Sequence, residues 1–561
     1  ILIACLYIGN LFSDRPLSLN HFLAKELLTQ LFESPEVMTS IGLFDDFNWL
    51  TQHNDKLSLG SEEEALSRHA ATLKRRDVLA TFEETSLSPD EQITLAIAKF
   101  DVNNTIDSFE QFRYHNFPFN QIGGAHLNLV EFMTDLHPIN TEQQAWDFIR
   151  RVEQFDESSE ARLNWLQRQA KQGIYPPDFV FGHVIRQLSE LIQLEDHPIT
   201  TMFSQKTSEL DLTAAQQGAL QSALSTAMSE HLVPGFDRLL KHFEETRPLA
   251  NPHDGAWALP KGAAYYAHRL KIYTTTDQTA EDIHQTGLEE VARIESRMLE
   301  ILTQLGYDGN QSVGALMNAL NEDPQFLYPD TPDRKDKVVA DYNQMVVDAT
   351  ETITPYFNRM PKAAVEVRAV PEYSEQNAAG GYYMSPSLDG SRPGVFYANL
   401  YDIKQTPTYS MQTLAFHEAV PGHHLQNALN QENESLSLYR KHGYYTSAYG
   451  EGWALYAERL ATEAGLLTSD YDELGVLQSE LFRAVRLVVD TGLHHKRWTR
   501  EEAMAYMKRI TGMSDTEVQA EIERYIVWPG QACSYKVGML SILELRAVSY
   551  THLRAHETRT Y

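Results

Sequence analysis

The sequence predicts a mainly α protein with a small β-sheet, an α+β architecture. Two observations carry that reading. Apolar residues recur at i, i+3, i+4 and i+7 through most of the chain, with charged residues between them. One stretch, residues 362–400, alternates apolar and charged residues instead and is broken by turn dipeptides. No fixed repeat and no low-complexity tract is present.

The helical pattern covers residues 16–35, 60–80, 141–171, 181–195, 213–245, 279–305 and 334–358. In 279–305, Thr279 suits an N-cap and Glu281 and Asp282 suit a first turn. Ile283, Leu288, Val291, Ile294, Met298 and Ile301 form its stripe. In 213–245 the stripe is Leu220, Leu224, Met228, Leu232 and Phe236, with Pro234 expected to break the helix. Stripes of this kind are core. In the alternating stretch, Val365, Val367 and Ala369 predict a strand, and Asp389-Gly390 and Pro393-Gly394 predict turns. The expectation is two or three strands, ending near Phe396-Tyr397-Ala398-Asn399.

Composition bounds the function. Hydrophobic residues make up 42% and charged residues 22% of 561, which excludes a disordered, collagen-like or small disulfide-bonded chain. At roughly 150 residues per domain the length fits several domains or one multi-lobed unit. The net charge of −30 repels phosphate backbones, so no nucleic-acid partner is expected. No run approaches the ~18 apolar residues needed to span a bilayer. The two cysteines, Cys5 and Cys533, allow at most one pair. Leu2-Ile3-Ala4-Cys5 looks like a bacterial lipobox, so residues 1–15 are read as the remnant of a signal and anchor. The apolar residues after Cys5 favour the competing reading, a buried N-terminal segment. Residues 547–561 turn basic and lose the amphipathic pattern, and are read as a non-native tail.

The chemistry sits just after the predicted sheet, in Thr413-Leu-Ala-Phe-His417-Glu418-Ala-Val-Pro421-Gly422-His423-His424-Leu-Gln426. His-Glu followed by His is the arrangement of a zinc hydrolase helix, in which histidines bind the metal and the glutamate takes a proton from water. The spacing is unusual, because Pro421 occupies the i+4 position. On an unbroken helix His423 would be rotated by roughly 240° from His417, and His424 would lie about 10.5 Å further along the axis. A bulge at Pro421-Gly422 could return His423 to His417, with His424 as the alternative second ligand. The competing reading is that Pro-Gly simply ends the helix.

A second motif follows: Gly450-Glu451-Gly452-Trp453-Ala454-Leu455-Tyr456-Ala457-Glu458. Trp453, Ala457 and Leu460 have helical spacing, and Glu451 and Glu458 share a face. Catalytic zinc takes three protein ligands and keeps one position open, which two histidines and Glu451 would satisfy. Glu458 would then orient a ligating histidine. The alternative is that both carboxylates are solvent-facing helix charges.

These residues resemble the DUF885 family, read as bacterial relatives of the glutamate-zincin (gluzincin) metallopeptidases. The resemblance extends to Leu259-Pro260-Lys261-Gly262 with Tyr265-Tyr266, Ile283-His284, Gly287 to Val291, Asp389 to Gly394, Val489 to His494, Arg524-Tyr525 and Pro529 to Lys536. It covers roughly residues 16–546. It implies a zincin fold of the neurolysin type, with two helical lobes, 16–250 and 251–546, flanking a deep cleft. It implies zinc on His417, His423 and Glu451, with Glu418 as general base. It implies that Phe396-Tyr397-Ala398-Asn399 is an edge strand that pairs with an extended peptide. Tyr535 and His494 are the implied donors to the oxyanion, and Arg392 the implied partner of a substrate carboxylate.

The resulting expectation is a zinc-dependent metallopeptidase of short peptides. It would sit in the cell envelope or periplasm, attached through a lipidated Cys5, or else in the cytoplasm. The alternatives are a zinc hydrolase of another amide or ester, and a non-catalytic envelope lipoprotein with a peptide-binding cleft.

Overall fold

A computed structural model describes residues 10, 13, 15–42, 51–371, 375, 379–387, 392–402, 404 and 406–557, with backbone alone for 552–557. Cys5 and Asp389-Gly390-Ser391 lie outside the described residues. Among the described residues the chain is mainly helical with one three-stranded sheet. It divides into two compact units. The first holds residues 1–254, 258–260 and 437–443, and the second holds 255–257, 261–436 and 444–561. No described helix is long and apolar enough to cross a membrane.

The first unit is all helix among its described residues. Its helices start where the sequence supplies caps: Ser61 with Glu64, Ser88 with Glu91 and Thr213 with Gln216 each form a capping box. The pattern over 141–171 resolves into two helices, Glu142–Glu153 and Phe155–Lys171. The stripe Leu220, Leu224, Met228, Leu232 and Phe236 is buried throughout. The expected break at Pro234 does not occur. A single π-turn at Met228–Leu232 carries the chain into the helix Val233–Thr246, where Pro234 sits in the first turn and its missing N–H costs nothing. The short segment Tyr439–Gly443 returns to this unit, with the Tyr439 hydroxyl 3.3 Å from Asp101 Oδ2.

In the second unit, α1 (Ala280–Gln304) opens with the Thr279–Asp282 capping box. Its stripe is buried except for Leu288, which is 37% exposed and lies on the outer face. Helix α2 (Arg334–Ile353) precedes strands β1 (Val365–Ala369), β2 (Gly381–Met384) and β3 (Gly394–Ala398). The spatial order is β1-β3-β2, with β3 parallel to β1 and antiparallel to β2. The expected edge strand Phe396 to Asn399 is therefore corrected: β3 is the central strand and is paired on both sides. Its residues Val395, Phe396 and Ala398 are buried, as a central strand requires. The outermost strand on that side is β2.

Helix α3 (Thr408–Glu418) packs on this sheet. Val338, Tyr342 and Val346 of α2, Val367, Phe396 and Ala398 of the sheet, and Met411 and Ala415 of α3 form one buried cluster. That cluster fixes the end of α3, where His417 and Glu418 stand. Then come α4 (His423–Glu432), α5 (Ser447–Glu463), α6 (Asp470–His494), α7 (Asp515–Val527) and α8 (Ser534–Glu557). The backbone of α8 stays helical through most of the stretch from residue 547 that lacks amphipathic pattern.

Candidate metal centre

The Pro421-Gly422 segment is a full break rather than a bulge inside one helix. Helix α3 stops at Glu418, where Ala419 leaves helical geometry (φ −104°, ψ −101°), and α4 restarts at His423. A Cβ at position 422 would lie 1.9 Å from the His417 carbonyl oxygen and 2.3 Å from that of Phe416, so only glycine lets the chain fold back over the end of α3. This turn brings the His417 and His423 rings to a centroid distance of 5.0 Å at 90°.

Helix α5 supplies the carboxylates. Glu451 Oε2 lies 3.6 Å from His417 Nε2 and 3.6 Å from His423 Nε2. Ligand atoms of His417, His423 and Glu451 all lie within 4.8 Å of one another. Two donors each about 2.1 Å from a tetrahedral ion stand about 3.4 Å apart, so this set could hold zinc with little movement. Seven residues on, the buried Glu458 accepts a 2.7 Å hydrogen bond from His417 Nδ1. That bond fixes the tautomer and leaves Nε2 for a metal.

The electrostatics favour positive charge here. Burial alone would push the His417 imidazole down, but the carboxylates of Glu451 and Glu458 outweigh it and raise it to about 10. Burial likewise pushes the Glu451 carboxyl up, yet the two imidazoles beside it hold it well below the usual carboxylate range. Glu418 adjoins His417 and is 6% exposed, and its carboxylate makes no hydrogen bond among the described residues.

The alternative ligand His424 turns away. Its Nδ1 accepts from the Tyr383 hydroxyl of β2 (2.9 Å) and its Nε2 donates to the Ala363 carbonyl (3.1 Å). Burial lowers it to about 4, so it is a neutral tie between α4 and the sheet. His494 is also not brought to the cluster. Its Nδ1 accepts from Ala256 N–H (2.9 Å) and its Nε2 donates to the Tyr525 carbonyl (3.0 Å). With both nitrogens used and 1% exposure, it pins backbone segments and cannot donate to a substrate. The Arg392 guanidinium is taken up by the Ser385 and Pro393 carbonyls (2.6 and 3.2 Å), so it closes its own turn rather than waiting for a carboxylate. Asn399 is buried and donates to the Glu375 carbonyl (2.8 Å), while Tyr397 stacks on Tyr382 at 4.9 Å.

Tyr535 does lie in the neighbourhood, packed with Val420 of the break and Leu455 of α5. A residue that sequence reasoning missed is Tyr445. It is 70% exposed and makes no hydrogen bond among the described residues. A Cβ at position 450 would sit 2.7 Å from its hydroxyl oxygen, so Gly450 clears the space beside Glu451. The sequence signal was the glycine preceding Glu451.

Comparison with known proteins follows the same segments. The profile of a family described as bacterial protein of unknown function (DUF885) matches residues 35–556. The chain belongs to the DUF885 family. A solved structure of a candidate lipoprotein from Colwellia psychrerythraea is similar, with 35% identity over 94% of this chain and 93% of that one, and a TM-score of 0.83. Another, a candidate lipoprotein of unknown function from Shewanella oneidensis, has 17% identity over 96% of this chain and 94% of that one, with a TM-score of 0.73, and shares the fold. No curated protein matches the chain.

Proposed function

We propose that this protein is a zinc-dependent metallopeptidase that hydrolyses short peptides. The observation that carries the reading is the convergent His417, His423 and Glu451 set, with Glu418 next to His417 and its carboxylate committed to no hydrogen bond among the described residues. A carboxylate left uncommitted beside a metal site is placed to act as a proton acceptor.

Zinc held by those three side chains would polarise a peptide carbonyl and bring the pKa of a coordinated water to about 7. Glu418 takes the proton as water oxygen adds to the carbonyl carbon. It returns that proton to the amine nitrogen as the C–N bond breaks. Tyr445 donates to the carbonyl oxygen as charge develops there. Glu458 keeps His417 oriented. The outer strand β2, tied to α4 through Tyr383 and His424, is the strand beside which an extended peptide would align. The zincin character of the fold, with a cleft flanked by two lobes, is part of this proposal. So is a place in the cell envelope through lipidation at Cys5, which the likeness to candidate lipoproteins supports.

The test is a peptide-library digest with the purified full chain, with and without zinc, beside Glu418→Gln. Cleavage that needs zinc and disappears in the variant supports the proposal. Zinc-independent cleavage, or turnover of small esters and amides with none of peptides, rejects it.

A further inference from the structure

Strands β1 and β2 are the two edges of the sheet, and they are finished differently. On β1 the Asn343 side chain of α2 closes the edge. Its Oδ1 accepts from the Val367 N–H (3.1 Å), and its Nδ2 donates to the Val339 and Val367 carbonyls (2.8 and 3.4 Å). On β2 no side chain does this among the described residues. The Asn399 N–H donates to the Gly380 carbonyl (3.0 Å), which sets the phase of the β2–β3 ladder. Bonded and non-bonded pairs alternate along an antiparallel ladder. Tyr382 and Met384 therefore turn their backbone groups to Tyr397 and Val395 of β3. Gly381 and Tyr383 turn theirs to the open edge, where they make no hydrogen bond among the described residues.

That edge is also unguarded. Exposed edges are commonly blunted by charge, proline or a bulge. Strand β2 reads Gly381-Tyr382-Tyr383-Met384, with neither charge nor proline, in a chain that is 22% charged. Gly380, just before it, has open space where a Cβ would stand. A row of unpaired N–H and C=O groups at strand spacing is complementary to an extended polypeptide backbone.

The two faces of β2 differ, because successive side chains alternate. Tyr383 points to the helical side and bonds His424 (2.9 Å), the neighbour of His423. Tyr382 and Met384 emerge on the opposite face, 38% and 42% exposed. The Tyr382 ring is braced by Tyr397, with centroids 4.9 Å apart at 21°. A fixed ring beside a flexible thioether makes an apolar platform. A chain added to β2 in either direction has one residue opposite Tyr382. Cross-strand neighbours share a face, so the side chain of that residue lies on the platform.

We infer that Tyr382 and Met384 are specificity-determining residues that select a large apolar side chain at the substrate residue opposite Tyr382. Gly381 and Tyr383 hold the backbone of that substrate whatever its sequence. This rests on the peptidase reading for the substrate class, but the binding itself needs no turnover.

The experiment is calorimetric titration of the full chain carrying Glu418→Gln with N-acetyl-Ala-Ala-Phe-Ala-Ala-amide and with its counterpart that has Ala in place of Phe. The Phe peptide is expected to bind about 10-fold more tightly, as partial burial of one large apolar side chain gives. Adding Met384→Asp or Tyr382→Ser should bring the ratio close to one. Met384 is exposed, so its variant reports even where loss of the tyrosine stack unfolds the other. N-methylation of the Phe, and of its two Ala neighbours, should differ: one pattern abolishes binding and the other leaves it, because edge bonds fall on alternate residues. Equal affinity for the two peptides, binding of neither, a preference that survives in the folded Met384 variant, or equal effects of the two methylation patterns overturns the inference. A clear Phe preference in a protein that cleaves no peptide with Glu418 intact upholds the platform and rejects the peptidase proposal. Zinc-dependent cleavage of both peptides at equal kcat/KM does the reverse.

Discussion

In the first unit His126 and His137 are buried, and each makes one or two bonds to neutral or cationic neighbours. His126 Nε2 meets Gln187 Oε1 at 2.9 Å, and His137 Nδ1 meets Arg151 Nη1 at 2.6 Å. Burial pushes them down to about 4 and, with help from Arg151, to about 3. In the second unit His417 is just as buried, yet carboxylates on both of its nitrogens push it up to about 10. Burial makes a histidine a neutral piece of core; converging carboxylates make the same burial a place for a cation. The sequence neighbours His423 and His424 differ in their partners one residue apart: Glu451 faces the first, while the Tyr383 hydroxyl and Ala363 carbonyl hold the second.

The contrast can be broken most strongly at Glu418. Glu418→Gln should retain zinc and lose about 10²–10⁴-fold in kcat on a cleaved peptide. Loss of the metal as well would show that Glu418 is a ligand. Tyr445→Phe should lower kcat by about 10²-fold with little change in KM, since the donor acts on developing charge. A change in KM alone would make Tyr445 a binding residue.

Smaller effects sharpen the comparison. Glu458→Gln should weaken zinc binding by about 10–100-fold in a chelator competition, because the amide oxygen still accepts from His417 Nδ1 but the negative charge that raises the basicity of the imidazole is gone. His423→Ala should abolish zinc binding, whereas His424→Ala should keep it and cost about 1–3 kcal/mol in urea unfolding, by leaving the Tyr383 hydroxyl and Ala363 carbonyl unpaired. A further effect is on pH. His126 titrates near 4 when folded and near 6.5 when unfolded, so the folded state binds fewer protons. The stability it confers is present above pH 6.5 and is lost as pH falls toward 4. His126→Gln should flatten that part of the stability–pH curve, and an unchanged slope would mean that His126 is not buried as described.

Much of this was legible in the sequence because it is written in local patterns. Helical stripes, Thr279 as a cap and the strand through Val367 depend on periods and caps that neighbouring residues set by themselves. The convergence of His417, His423 and Glu451 was legible from motif chemistry, although the turn that achieves it was not: Gly422 works through contacts with Phe416 and His417 carbonyls. Strand order was not legible either, since nothing in Phe396 to Asn399 says which neighbours arrive on each side. His494 and Arg392 looked available because their partners are backbone groups, which carry no sequence signature. The edge at Gly381 and Tyr383 was invisible for the converse reason, as its availability lies in backbone groups with no strand beside them.

The central claim is that these three side chains share one ion. Anomalous diffraction at the zinc absorption edge, from crystals of the zinc-equilibrated full chain, tests it most directly. The account predicts a single strong peak about 2.0–2.2 Å from His417 Nε2, His423 Nε2 and a Glu451 carboxylate oxygen. A metal-free site, with His417 still held between Glu451 and Glu458, would contradict it.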